Sequence, residues 1–186
     1  MVTYAHGKKD VLKVVRDIKQ YNKNLSFHNL DISNLKNSDF ESIKKFNPTH
    51  VFYFATPFIF NGAKDQFCKK KYAKFKNFYV NFFELLVDSL AKNKSDICYF
   101  YPSSSAIDEN PSDMLEYTKA KKKGENLCLR LEDKYPNIRI FRPRLPRLET
   151  DQTVSLSSVT NHDPLIILDI LRSMKHKWVL KIKNIR

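Results

Sequence analysis

With 186 residues, 42% of them hydrophobic and 13% aromatic, the chain is long enough for one domain with its own core and too apolar to be disordered. No apolar run approaches the roughly 18 residues of a membrane span, and the opening Met-Val-Thr-Tyr-Ala-His-Gly-Lys-Lys lacks the apolar stretch of a secretion signal. The formal charge of +13 favours phosphates of any kind, but the lysines are widely spread, with short clusters at Lys69-Lys70-Lys71 and Lys121-Lys122-Lys123. No zinc finger, RRM signature or helix-turn-helix pattern accompanies them, so basic nucleic-acid binding stays only as an alternative.

Three cysteines, Cys68, Cys98 and Cys128, form no CxxC pair and no even disulfide framework, which fits reduced thiols in a cytoplasmic protein. The histidines show no metal-ligand spacing, and no metal site is expected. Glycine is scarce. Three in the whole chain, Gly7, Gly62 and Gly124, stand where average usage would give about a dozen.

In chain order, Val2 to Ala5 is a short β-prone run. Val11, Val14, Val15 and Ile18 then recur at helical spacing within Asp10 to Tyr21. Leu25 to Ile32 reads as a strand ending at Asp31, and Ser38 to Phe46 as a helix stopped before Pro48. Val51 to Ala55 is a continuous apolar run, the mark of a strand buried on both faces of a parallel sheet. A long helix follows over Lys70 to Asn93, with Phe75, Phe78, Phe82, Leu85, Leu86 and Leu90 as its apolar side. Ile97 to Tyr101 is the next buried strand and runs into Pro102-Ser103-Ser104-Ser105. A helix over Met114 to Asp133, a strand over Ile138 to Phe141 and an amphipathic helix over Pro164 to Met174 complete the pattern.

Strands alternating with helices in this way predict an α/β fold, a doubly wound parallel sheet with helices on both faces, over residues 1–174. Residues 175–186 form a basic tail. Ligands of such sheets sit outside the carboxyl ends of the strands. That rule picks out His6, Asp31, Ala55, Thr56, the serines at 103–105 and the segment after Arg142.

Tyr117 and Lys121 stand at i and i+4 on one predicted helix and so share a face. A nearby ammonium stabilises tyrosinate and lowers the phenol pKa, which makes Tyr117 a candidate acid/base, with a serine hydroxyl after the preceding strand to hold a substrate oxygen. Ser104 lies 13 residues before Tyr117 and Ser105 lies 12 before it.

The conjunction of these serines with Tyr117 and Lys121 resembles the short-chain dehydrogenase/reductase family. Leu30-Asp31-Ile32-Ser33-Asn34 is similar to that family's Asp-aliphatic-Ser/Thr segment, which implies that Asp31 helps seat the adenine. Thr49 to Pro57 is similar to the strand and turn on the cofactor's ribose side, implying contacts from Ala55 and Thr56. Val80-Asn81-Phe82 is similar to the helix whose asparagine supports the active site. Ile140-Phe141-Arg142-Pro143 is similar to the strand leading to the nicotinamide side, implying a contact at Pro143.

The resemblance thus implies a Rossmann-like domain with Ser104, Ser105, Tyr117, Lys121 and Asn81 catalytic, and with His6, Lys8, Asp31, Ala55, Thr56, Lys121 and Pro143 at the cofactor. Without a carboxylate before Asp10, the basic residues near His6 and Lys8 favour NADP, with NAD the alternative. The substrate expected is a small carbonyl compound or alcohol.

Two departures stand against the resemblance. The family begins with a strand, a Gly-rich turn and a helix whose N-terminus binds pyrophosphate, whereas this chain starts at what resembles the second strand. The fold is therefore expected to be N-terminally incomplete, completed by a missing N-terminal segment or by association as a homo-oligomer. The usual Pro-Gly is Pro143-Arg144 here, and Arg142, Arg144 and Arg147 could meet an anionic substrate or simply face water.

Three readings follow: an NAD(P)-dependent oxidoreductase, or an epimerase or dehydratase using the same chemistry; a catalytically inactive truncated or split fragment of such an enzyme; and a basic nucleic-acid-binding protein.

Overall fold

The structure, a computed structural model, describes residues 1–5, 8–20, 24–59, 64–92, 96–148 and 162–172. Its strands are short and all parallel. β1 (Val2–Tyr4) pairs with β2 (Phe27–Asn29), and β3 (His50–Phe52), β4 (Ile97–Phe100) and β6 (Ile138–Phe141) form a separate ladder in the order β3-β4-β6. The β4–β6 ladder continues as β5 (Ser103–Ser104) against β7 (Arg144–Leu145), two pieces the sequence pattern did not announce. Helices connect the strands: α1 (Lys8–Lys19), α2 (Asn37–Phe46), α3 (Lys69–Lys76), α4 (Phe82–Ala91), α5 (Ala106–Glu109) and α6 (Leu115–Lys134), with residues 166–172 helical as α7. The doubly wound parallel α/β architecture expected from the alternation is present, but its sheet is interrupted between β1 and β3.

Local chemistry sets the element ends. Asn47 adopts a left-handed conformation (φ 50°) and its N–H reaches back to Ile43 and Lys44, closing α2 just before Pro48. Asp31 accepts from the Ser33 amide (2.9 Å) and hydroxyl (2.6 Å), capping a 3₁₀ turn at Ile32–Asn34 just past the residue where the sequence ended the strand. The stretch predicted as one helix over Lys70 to Asn93 contains a π-helical turn at Asn77–Asn81. A π turn frees carbonyls from the usual i→i−4 pattern. Two are taken up from the sheet: Tyr53 donates its hydroxyl to Phe78 O (2.6 Å) and Tyr101 to Tyr79 O (2.8 Å).

The main core lies between β3-β4-β6 and the helices α3, α4 and α6, around Phe75, Tyr79, Phe83, Val87, Tyr99, Tyr101, Leu127 and Ile138. The buried stripe of the α3–α4 helix is therefore Phe75, Tyr79, Phe83, Val87 and Leu90. Of the expected side, Leu85 is 51% exposed, while Phe78, Phe82 and Leu86 face a cavity instead. A second, smaller cluster on the opposite face of the sheet joins Phe100 and Leu145 to Phe141 and to Ile167, Ile170 and Leu171 of α7.

Gly124, inside α6, shows how tightly the main core is closed. A Cβ there would meet the Tyr101 hydroxyl at 1.9 Å and Tyr79 O at 3.0 Å. Among the described residues no helix is long and apolar enough to cross a membrane.

Candidate active site

Ser104 and Tyr117 come together, close enough for the serine side chain to act on the Tyr117 phenol. β4 ends at the core edge, and its continuation as β5 carries Ser104 to the carboxyl end of the sheet. α6 starts nearby with Glu116, Tyr117, Thr118, Ala120 and Lys121 all buried. Ser104 Oγ also accepts from the Ala106 amide at 3.3 Å, which fixes its rotamer.

Ser105 plays a different part. Its backbone N–H donates to Leu145 O (2.9 Å) and its carbonyl receives Asp108 N (2.8 Å), so it holds the β5–α5 corner together. Of the two serine candidates, Ser104 is the one that meets Tyr117.

Lys121 is buried beside Tyr117, with its ammonium 5.8 Å from the Tyr117 ring centre. It donates to Pro102 O at 2.7 Å and sits 3.9 Å over the face of Tyr79. Burial pulls its pKa down to about 7, opposed by Cys128 and Glu125. The expectation that Lys121 lowers the Tyr117 phenol is corrected here: burial raises the phenol, and the bond from Ser104 opposes that rise. Tyr117 is accordingly a neutral phenol at rest, a proton donor.

Tyr79 is the residue the sequence did not single out. Its ring stands edge-on to Tyr117 (centres 5.7 Å apart, planes at 83°) and stacks on Phe75 at 6.0 Å. Its hydroxyl lies 2.6 Å from Thr56 Oγ1. The apolar side read from the sequence left it out, and only the fold shows that it joins the Thr56 loop to Lys121.

Asn81, at the end of the π turn, donates to Asn77 Oδ1 at 2.6 Å rather than to Tyr117 or Lys121.

Asp31, Ala55 and Thr56, expected at the cofactor, do come together: all three line a cavity of about 820 Å³ between β1 and β3. Pro143 lies elsewhere, its carbonyl accepting from the Ser103 amide at 2.9 Å. His6 lies outside the described residues, and Lys8 enters only as the first residue of α1.

The arginines near Pro143 are engaged within the chain. Arg144 clasps Glu125 through two bonds (2.8 and 2.7 Å) and also bonds Asp108, and Arg142 pairs with Glu132 at 2.7 Å. Glu125 is held below the usual carboxylate range, first by Arg144 and further by Ser103, whose hydroxyl donates to it at 2.6 Å. These ion pairs fasten β7 and α5 to α6, so Arg142 and Arg144 are structural ties rather than free charges for a substrate.

A nicotinamide dinucleotide tests this set of residues. Asp31, Ala55 and Thr56, which the resemblance puts on its adenosine side, line one cavity. Its pyrophosphate needs backbone N–H donors at a helix N-terminus behind a glycine turn. The three glycines stand far apart in the sequence, and Gly124 is inside α6 packed on Tyr101. The described residues therefore do not hold a whole dinucleotide. Among them there is also no group of His, Cys, Asp and Glu able to hold a metal ion.

With the geometry in place, comparison with solved structures identifies the fold. A short-chain dehydrogenase from Salmonella enterica serovar Typhi CT18 superposes with a TM-score of 0.75 at 15% identity, covering 90% of this chain and 75% of that one. An alcohol dehydrogenase from the archaeon Thermococcus sibiricus, complexed with 5-hydroxy-NADP, gives 0.72 at 14%, covering 92% and 77%. A short-chain dehydrogenase from Escherichia coli CFT073, complexed with NADPH, gives 0.74 at 15%, covering 89% and 75%. No protein-family model matches the chain, and no curated protein matches it. The chain thus has the Rossmann-type fold of the short-chain dehydrogenases and spans about three quarters of the length of these structures.

Proposed function

We propose that the chain works as an oxidoreductase of the short-chain dehydrogenase type on a small carbonyl or secondary-alcohol substrate. The observation that carries the reading is the meeting of the Ser104 side chain with the Tyr117 phenol at the carboxyl end of the sheet, with Lys121 one turn further along α6. Ser104 holds the substrate oxygen. Tyr117, neutral at rest, gives its phenolic proton to that oxygen as a carbonyl becomes an alcohol and takes one back in reverse.

Lys121 and Tyr79 set the electrostatics around Tyr117, and Asn81, tied to Asn77, is a positioning residue in the π turn. NADP, with NAD the alternative, belongs to the proposal as the hydride carrier. The complexes of two similar structures with NADPH and 5-hydroxy-NADP support that choice. The same acid/base group also serves epimerases and dehydratases. A panel of aldehydes and ketones with NADPH tests the reading: turnover that falls in Tyr117→Phe and Ser104→Ala but survives in Ser105→Ala is expected.

A second reading has its own observation. Because nothing among the described residues grips a pyrophosphate, the chain alone is a catalytically inactive part of such an enzyme. Titration of NADPH fluorescence separates the two readings: micromolar affinity of the isolated chain contradicts the second.

A further inference from the structure

Positive charge is unevenly neutralised over this molecule. Lys44 meets Glu41, Lys134 meets Asp88, and Arg142 and Arg144 meet Glu132 and Glu125. Where α3 lies beside α6, by contrast, five lysines form no ion pair among the described residues: Lys69 and Lys76 on α3, and Lys119, Lys122 and Lys123 on α6. The two helices are joined near their starts, where the buried Glu116 accepts from the Cys68 amide at 2.6 Å. Glu116 is thereby committed to the interior.

Two aromatic rings stand among these lysines. Phe67, 42% exposed, and Tyr72 have their ring centres 5.4 Å apart. Lys119 Nζ lies 4.8 Å from the centre of Phe67 and 5.5 Å from that of Tyr72, and Lys123 Nζ lies 5.9 Å from that of Tyr72. Such cation–π contacts hold two flexible side chains in place, and both lysines are exposed. Lys69 and Lys76, three residues before Tyr72 and four after it, share its side of α3. Lys122 and Lys123, three and four residues after Lys119, share its side of α6. The fold thus gathers into one patch lysines that the sequence divides between two runs.

Unpaired ammoniums attract phosphates, and the rings decide which polyanion fits. A bilayer surface rewards a broad apolar face beside its lysines, whereas the apolar surface here is two rings walled by lysine. A double helix keeps its bases stacked on one another and meets a basic surface through its backbone. A single strand offers both phosphates and unstacked bases, and those bases stack on aromatic side chains. We propose that the α3–α6 face is a binding surface for single-stranded nucleic acid, with the five lysines on phosphates and Phe67 stacking a base. This surface stands apart from the serine–tyrosine pair, and its role holds whether or not Tyr117 is catalytic.

Fluorescence anisotropy of a labelled oligothymidylate of about twelve nucleotides tests this on the full chain. Between about 50 and 200 mM salt, log affinity should fall against log salt with a slope of about −3.5, from five contacts at about 0.7 each. Lys119→Gln combined with Lys123→Gln removes two contacts, and is expected to weaken binding at least about tenfold and make the slope about 1.4 shallower. Lys13→Gln combined with Lys19→Gln removes the same charge from exposed positions on α1, and should change affinity by less than about twofold. Phe67→Ala should weaken binding about fivefold or more, and Phe67→Trp, which keeps a stacking ring, should not. Four results overturn the proposal: no saturable binding at about 50 mM salt, equal effects of the two lysine pairs, unchanged binding by Phe67→Ala, or tighter binding to a duplex of the same length or to phosphatidylserine vesicles.

Discussion

The hydroxyl of Tyr79 and Oγ1 of Thr56 stand 2.6 Å apart, so a residue of the π turn is tied to the loop that leaves β3. The Tyr79 ring in turn lies under the Lys121 ammonium and against Tyr117. One side chain therefore joins the cavity that collects Asp31, Ala55 and Thr56 to the serine–tyrosine pair. Tyr79→Phe removes the tie and keeps the ring, and should cost about 1 kcal/mol in chemical denaturation. Tyr79→Leu also withdraws the ring from Lys121 and should cost about 3 kcal/mol or more.

Gly124→Ala should destabilise the fold by about 1–3 kcal/mol, because the new Cβ would meet the Tyr101 hydroxyl at 1.9 Å and displace its bond to Tyr79 O. Tyr101→Phe removes the closest obstacle, although the ring carbon at 2.8 Å remains. The double variant is expected to be less destabilised than the sum of the single ones, and urea melts of all four proteins measure the coupling.

Tyr99 is fully buried and its hydroxyl has no hydrogen-bond partner among the described residues. Burying a hydroxyl unsatisfied costs free energy that an apolar isostere avoids. Tyr99→Phe should therefore raise stability by about 1 kcal/mol, visible as a higher urea midpoint with an unchanged slope.

Lys121 gives the pH dependence a definite sign. Its pKa is about 7 when folded, below its ordinary value, so between pH 7 and about 10 the unfolded chain binds the extra proton and stability rises with pH. The destabilising contribution is fully present below pH 7 and is relieved as pH climbs through that window. Above about pH 10 the slope reverses, because burial raises Tyr53, Tyr79, Tyr99 and Tyr101 in the folded state. Thermal melts from pH 6 to 10 should show a rise on the order of 5 °C, lost in Lys121→Met.

Part of this arrangement was legible in the sequence for physical reasons. Tyr117 and Lys121 share a face because a helix repeats every 3.6 residues, and Ser104 follows a strand whose apolar run is unmistakable. Asp31, Ala55 and Thr56 were placed by the rule that ligands gather at strand ends, and one cavity indeed collects them. Other features depend on partners distant in sequence. Arg144 could be read as a free cation until Glu125 and Asp108, 19 and 36 residues away, closed on it. The π turn was invisible because its Phe78 and Tyr79 carbonyls are taken up by Tyr53 and Tyr101, which lie just past the ends of β3 and β4. Burial overrode the proximity rule at Tyr117, so the phenol moved opposite to the direction that Lys121 alone suggests.

The catalytic assignment is tested most directly by NADPH-dependent carbonyl reduction at saturating cofactor, comparing the wild-type chain with Tyr117→Phe and with Tyr79→Phe. The account predicts that Tyr117→Phe lowers kcat by about 10²–10⁴ while Tyr79→Phe retains most of it. Equal rates in wild type and Tyr117→Phe, or no turnover by the wild-type chain at any cofactor concentration, would contradict it.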